Sequence, residues 1–156
     1  MGENKRCCFA GHSKIYETNV SELLYRQIEF LICEKNVTEF WLGNYGDFDR
    51  LCISVLSQLR KFYKIKCFLI IPYLTKDIIE NKNAYAKKYD GIYMADMPPN
   101  TPPRLKILKT NHYMVDNSDY LICFINTPWG GAAKTLEYAK NHNIDIISLI
   151  PQESRD

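Results

Sequence analysis

Apolar runs alternate with amphipathic stretches along the whole chain, and this alternation constrains the fold more than any other feature. The run Lys66–Ile71 is almost continuously apolar, which is typical of a strand buried on both faces. The stretch from Phe48 to Phe62 instead places its apolar residues at helical spacing. Strands that alternate with helices predict parallel β-α-β units. We therefore expect an α/β fold of three layers, with a mainly parallel central sheet covered by helices on both faces.

Apolar runs and helical spacing of apolar residues also predict the other strands and helices. The predicted strands cover residues 6–10, 40–42, 66–71, 91–94, 120–125 and 144–149, and the predicted helices cover about 20–31, 48–62, 75–89, 104–115 and 132–142. No repeat or linker interrupts the pattern. A chain of 156 residues with 46% apolar side chains then predicts a single domain over residues 1–156 with a sizeable core.

Charge and cysteine content narrow the class of protein. A net charge of +2 without any block of lysine or arginine disfavours nucleic acid as a partner. No apolar run reaches the ~18 residues of a membrane span, and the N-terminus lacks a signal-peptide core. The six cysteines include no CxxC pair, which disfavours zinc and thioredoxin chemistry. We expect a cytoplasmic, reduced protein that has no metal site and does not associate with membranes.

The junction at Gly130 and Gly131 is the strongest indication of a binding site. These glycines follow a predicted strand and precede a helix, so the backbone can approach a ligand closely. The first turn of that helix offers free N–H groups and a partial positive charge, which suit a phosphate or carboxylate. Lys134 and Thr135 are placed to add a charge and a hydrogen bond.

A second strand–helix junction contains Gly43, Asn44, Gly46, Asp47 and Asp49. Asp47 is interpreted either as the N-cap of the following helix or as a ligand group. Asp49 lies in the first turn of that helix and could accept hydrogen bonds from ribose hydroxyls. Asn44 and the loop N–H groups could contact a phosphate or the polar edge of a base.

The first predicted strand ends at Gly11, His12 and Ser13. A single histidine in a loop is more often structural than functional, although His12 lies at the edge where a ligand is expected. The hydroxyl of Ser13 could be a further phosphate contact. Because ligands bind beyond the carboxyl ends of parallel strands, the three junctions are expected to form one site.

The last two helices supply the remaining candidates. Arg104 begins a helix after two prolines, and Asn111 lies further along it, next to a histidine that we place in the core. Glu137 lies one turn into the final helix. Its carboxylate either reaches the pocket or favourably opposes the helix dipole.

Several of these segments carry a resemblance to a known superfamily. In chain order they are Cys7–His12, Leu42–Asp49, Pro102–Arg104, Asn111–Asp119 and Trp129–Ala139. They resemble the SLOG superfamily, in its YpsA-like branch of small bacterial and phage proteins; the superfamily also contains the DNA-processing protein DprA and the LOG-type phosphoribohydrolases. The resemblance implies a Rossmann-like sheet that binds a nucleotide or nucleotide-derived ligand at its glycine loops, without a separate cofactor.

Two departures from that branch affect the expected anion site. Ser13 and Thr110 stand where the branch usually has arginine. Fewer arginines mean fewer charge-assisted contacts. Lys134 is then the leading candidate for the cationic contact, and Arg104 and Arg50 are the others.

The resemblance leaves three functions open. The first is a sensor or sequestering module for a nucleotide-like small molecule, of which ADP-ribose is an example. The second is a LOG-like nucleotide N-glycosidase with Glu137 as the acid/base. Its activity is not carried over, because the glycine motif departs from the LOG pattern and the catalytic arginine of the LOG enzymes has no assigned position in this chain. The third is DprA-like binding of single-stranded DNA, which the near-neutral charge disfavours. The oligomeric state stays open, a homo-oligomer included.

Overall fold

The structure, a computed structural model, describes residues 3–12 and 19–150. The strands found there are β1 (Lys5–Gly11), β2 (Val37–Leu42), β3 (Lys66–Ile71), β4 (Gly91–Met94), β5 (Tyr120–Phe124) and β6 (Asp145–Ser148). The helices are α1 (Val20–Glu34), α2 (Asp47–Leu59), α3 (Lys76–Glu80), α4 (Lys82–Lys88), α5 (Pro103–Asp116) and α6 (Gly131–Lys140). Ser13, one of the expected ligand contacts, lies outside the described residues.

All neighbouring strands pair in parallel, in the order β4-β3-β2-β1-β5-β6. The order reverses at β1, where Cys8 pairs with Trp41 of β2 on one side and with Leu121 of β5 on the other. In sheets of this kind the ligand site lies outside the carboxyl ends of the strands, at the reversal. The expected Rossmann-like α/β fold is confirmed, and the end of β1 marks where its site should be.

Two apolar cores cover the two faces of the sheet. On one face α1 and α2 pack on Phe9 and Phe40, and the predicted stripe of α1 is confirmed because all four of its residues are buried: Val20, Leu24, Ile28 and Leu31. On the other face α5 and α6 contribute Met114 and Ala139 against Ala10 of β1. The sheet is thus a buried middle layer, as the apolar strands predicted.

Two of the predicted helices differ from the expectation, one in where it ends and one in its continuity. Helix α2 stops at Leu59, where the N–H of Phe62 bonds to the Leu59 carbonyl in a tighter turn, and Phe62 is 75% exposed. The helix expected over 75–89 is divided into α3 and α4 at Asn81, which has a ψ of 37°. The Asn81 side chain donates to Asp77 O, and such local side-chain bonds compete with helix continuation.

Buried thiols make up part of both cores. All six cysteines are free, and only Cys33 is exposed. Burial raises the pKa of Cys8 to about 12, so this thiol behaves as a small apolar side chain. Within residues 3–12 and 19–150, no three histidine, cysteine or acidic side chains are grouped to hold a metal. In the same ranges no helix combines the length and apolarity that crossing a bilayer requires.

Candidate functional site

A pocket of about 610 Å³ opens at the carboxyl edge of the sheet, beside the reversal at β1. Its walls come from the end of β1, the loop after β2 with the first turn of α2, the loop after β5, the middle of α5 and the start of α6. The expected site residues that line it are Gly11, His12, Gly46, Asp49, Asn111, Gly130, Gly131 and Thr135. The three strand–helix junctions therefore meet in one place.

Six other expected residues belong to the described part of the chain but do not line the pocket: Gly43, Asn44, Asp47, Arg104, Lys134 and Glu137. Lys134, Arg104 and Glu137 are exposed. The carboxylate of Glu137 lies 3.9 Å from the Lys140 ammonium and is 75% exposed, so it does not point into the pocket. This outward position is the one expected of a charge on the solvent face of a helix.

The N-terminus of α6 is built to leave its backbone accessible. Gly130 has a φ of 97°, in the left-handed region that favours glycine. A Cβ atom on Gly130 or on Gly131 would meet nothing within 4 Å. The first helical hydrogen bond runs from Lys134 N to Gly130 O, so the preceding N–H groups are left for a ligand or water. The buried Thr135 hydroxyl donates to Gly131 O at 2.9 Å and stabilises this turn.

Asp49 stabilises the second strand–helix junction, between β2 and α2. Helix α2 begins after Gly46, and the Asp49 carboxylate accepts the Tyr45 N–H at 2.9 Å, much as in a capping box. Burial raises the pKa of Asp49, and the Tyr45 N–H and Arg50 offset this only in part. The interpretation of Asp47 as N-cap is corrected: Gly46 is the N-cap, and the Asp47 carboxylate pairs with Arg50.

His12 ties two strand ends together. Its Nε2 accepts the Asn126 N–H at 2.9 Å and lies 3.4 Å from the Thr127 hydroxyl. This geometry requires an unprotonated Nε2, with the ring proton on Nδ1. The imidazole therefore fixes the loop after β5 against the end of β1, in agreement with the structural alternative for His12.

Gly43 and Asn44 shape the loop after β2. A Cβ on Gly43 would lie 3.2 Å from the Asp49 carboxylate, so glycine leaves room for that side chain. The Asn44 amide donates to the Tyr85 hydroxyl at 3.2 Å, and Tyr85 in turn donates to Asp77. Asn44 thus connects the loop to α3 and α4 rather than reaching the pocket.

The charge of the pocket lining differs from the expectation, which was an anion site with a lysine or arginine side chain. Among the described residues the lining includes no lysine or arginine, and Asp49 is its charged side chain. Arg50, one of the expected substitutes, pairs with Asp47 on the exposed surface. The positive potential available to an anion is therefore that of the α6 N-terminus.

Aromatic residues at the rim were missed by the sequence reasoning. Trp129 and Tyr45 line the pocket and are 70% and 41% exposed. Burial, with Tyr73 and Asp49 nearby, raises the pKa of the Tyr45 hydroxyl to about 12, so it stays a neutral hydrogen-bonding group. A large aromatic directly before the glycine pair was the signal that could have identified Trp129.

The structure resembles solved structures of DNA processing protein A. The alignment to DprA from Streptococcus pneumoniae covers 96% of this chain, with a TM-score of 0.71 and 14% sequence identity. The alignment to DprA from Helicobacter pylori, a protein described by its mode of binding single-stranded DNA, also covers 96%, with a TM-score of 0.66 and 14% identity. The chain spans 51% of the first protein and 66% of the second. No protein-family model and no curated protein matches it.

Proposed function

We propose that this chain is a SLOG-type domain that binds a nucleotide or nucleotide-derived small molecule, in the manner of a sensor or sequestering module. The shared fold with DprA supports the superfamily, and the quoted sequence segments support the YpsA-like branch. The function itself rests on the pocket. It lies at the switch point of a parallel sheet, where such ligands bind.

One observation carries the proposal. The open first turn of α6, the Asp49 carboxylate and two exposed aromatics surround one pocket of about 610 Å³. Helix N–H groups suit a phosphate, a carboxylate suits ribose hydroxyls, and an aromatic suits a base. A nucleotide presents these three groups on one small molecule. The volume falls within the usual range for small-molecule sites, about 300–1,000 Å³.

Direct binding measurements test the proposal. Small molecules that co-purify with the protein are released by denaturation and identified by mass spectrometry. Calorimetry then compares AMP and ADP-ribose with adenosine, which lacks phosphate. We expect the phosphorylated compounds to bind and adenosine to bind more weakly. Binding by none of them, with no retained molecule, would refute the nucleotide proposal.

The glycosidase alternative receives less support from the geometry. Its expected acid/base, Glu137, is exposed and lies outside the pocket lining, and the carboxylate within the lining is Asp49. Incubation with AMP and with NAD, followed by chromatography for released base, separates the two functions. Turnover would identify an enzyme, and its loss in Asp49→Asn but not in Glu137→Gln would assign the acid/base role to Asp49.

Single-stranded DNA binding is the second candidate, and the fold shared with DprA is the observation that favours it. It also weakens the expectation that nucleic acid is not a partner. At the same edge of the sheet, the Lys106 ammonium lies 5.7 Å from the centroid of the half-exposed Tyr73 ring. Aromatic platforms beside cations are the usual means of holding single strands.

Fluorescence anisotropy with a labelled oligothymidylate tests this candidate. DNA binding should weaken with salt and should decrease on Tyr73→Ala and on Lys106→Ala. Neither residue lines the pocket, so neither change should affect AMP. Oligonucleotide affinity that is absent at low salt would rule out DNA binding and leave the small-molecule proposal intact.

A further inference from the structure

Trp129 is unusually exposed for a tryptophan, since this residue type is largely buried on average. Its side chain is 70% exposed at the pocket rim, and within the described residues no ring or cation packs on the indole. Trp41, the other tryptophan, is 6% exposed, stacks with Tyr113 and lies beneath the Arg6 guanidinium. Trp41 thus has the burial and contacts of a tryptophan that serves packing, and Trp129 has neither.

The backbone around Trp129 is held at the rim. The Thr127 hydroxyl lies 3.4 Å from the Trp129 carbonyl, and the Asn126 N–H donates to His12. Gly130 follows directly with its left-handed φ of 97°. The loop therefore presents the indole immediately before the N-terminus of α6, where an anion would be held.

We propose that Trp129 is the stacking platform for the base of a ligand whose phosphate is held by the first turn of α6. This inference rests on the proposed nucleotide-binding function and specifies which part of the ligand Trp129 recognises. Stacking accepts the face of any base, so the site selects for an aromatic base rather than for one particular base. A sugar phosphate without a base gains nothing from the indole.

The consequence of removing the indole follows from that assignment. Base–aromatic stacking corresponds to roughly a five- to hundredfold change in affinity. Trp129→Ala should therefore weaken AMP by about that factor and leave ribose 5-phosphate unchanged. Trp129→Phe keeps an aromatic face and should retain most of the AMP affinity. The side chain is mostly exposed, so neither change should lower the midpoint of thermal unfolding.

Tryptophan fluorescence provides the direct readout. AMP should quench the emission of the wild-type protein, because its base covers the exposed indole, and ribose 5-phosphate should not. In Trp129→Phe the remaining emission comes from the buried Trp41, and AMP should no longer change it.

Two results would overturn the inference while leaving nucleotide binding in place. One is AMP binding to Trp129→Ala with wild-type affinity. The other is an equal loss of AMP and ribose 5-phosphate affinity in that variant. Failure of the wild-type protein to bind AMP, ADP-ribose or adenosine in calorimetry, with no retained molecule, is a different outcome, because it refutes the proposed function and this inference together.

Discussion

A Cβ atom on Gly11 would lie 2.2 Å from Cγ of Phe48, which is far inside van der Waals contact. Phe48 is 1% exposed and stacks on Phe124, with ring centroids 6.2 Å apart. Gly11 is thus the point where α2 lies directly on the end of β1. Its small size serves packing beneath the pocket, whereas the sequence had indicated only a ligand contact.

Gly11→Ala should therefore destabilise the fold. The added methyl must displace the Phe48 ring from a filled core, and overpacking of this kind costs about 1–3 kcal/mol. Urea unfolding measures the loss. Combining Gly11→Ala with Phe48→Leu should recover part of it, since the smaller side chain makes room. Unchanged stability in the single variant would contradict the packing role.

Gly131→Val should remove phosphate binding without unfolding the protein. Because the added Cβ meets nothing within 4 Å, the fold tolerates it, but the branched side chain occupies the approach to the α6 N–H groups. Ala133→Val is the matched control, since it adds a similar side chain to the same turn outside the lining. AMP titration should distinguish the two. Equal affinity in both variants would place the phosphate elsewhere.

Lys134→Ala tests whether a side-chain cation contributes to the anion site. Lys134 is exposed and lies outside the pocket lining. Interactions between exposed charges usually contribute only a few tenths of a kcal/mol, so we expect AMP affinity to change by less than about threefold. A direct contact would instead be worth ~1.5–3 kcal/mol, or roughly ten- to a hundredfold. A loss of that size would restore Lys134 as the main cationic contact.

Asp49→Asn should separate stability from binding. Burial raises the pKa of Asp49, so the folded protein holds this proton more tightly than the unfolded chain does, and the charge opposes folding once it forms. Stability from this group is lost as pH rises above its ordinary value of about 4. The variant, which still accepts the Tyr45 N–H, should unfold at higher temperature at pH 7, and this advantage should shrink as pH falls toward 4.

Ligand affinity should change in the opposite direction. An amide oxygen is a weaker acceptor for ribose hydroxyls than a carboxylate, so Asp49→Asn should weaken AMP at pH 7. Greater stability together with unchanged affinity would indicate that Asp49 only holds the Tyr45 loop.

The positions of the elements were predictable because they depend on local periodicity. The four buried residues of α1 and the run Lys66–Ile71 mark their elements through spacing alone. The ends of α2 and the break at Asn81 were not predictable. They depend on single hydrogen bonds, such as that from Phe62 N to Leu59 O, which compete closely with one more helical turn.

The sequence by itself determined that glycine junctions follow the strands, and it therefore predicted a site at one edge of the sheet. Only the tertiary structure decided which side chains enter it, because rotation about a helix axis and the order of strands are non-local properties. Thr135 and Glu137 are two residues apart, yet one is buried at the pocket and the other faces solvent. The same packing covered Trp41 within β2 and left Trp129 exposed at the rim. The glycine pair after Trp129 marked its place in the sequence, but its exposure depended on which elements pack around it.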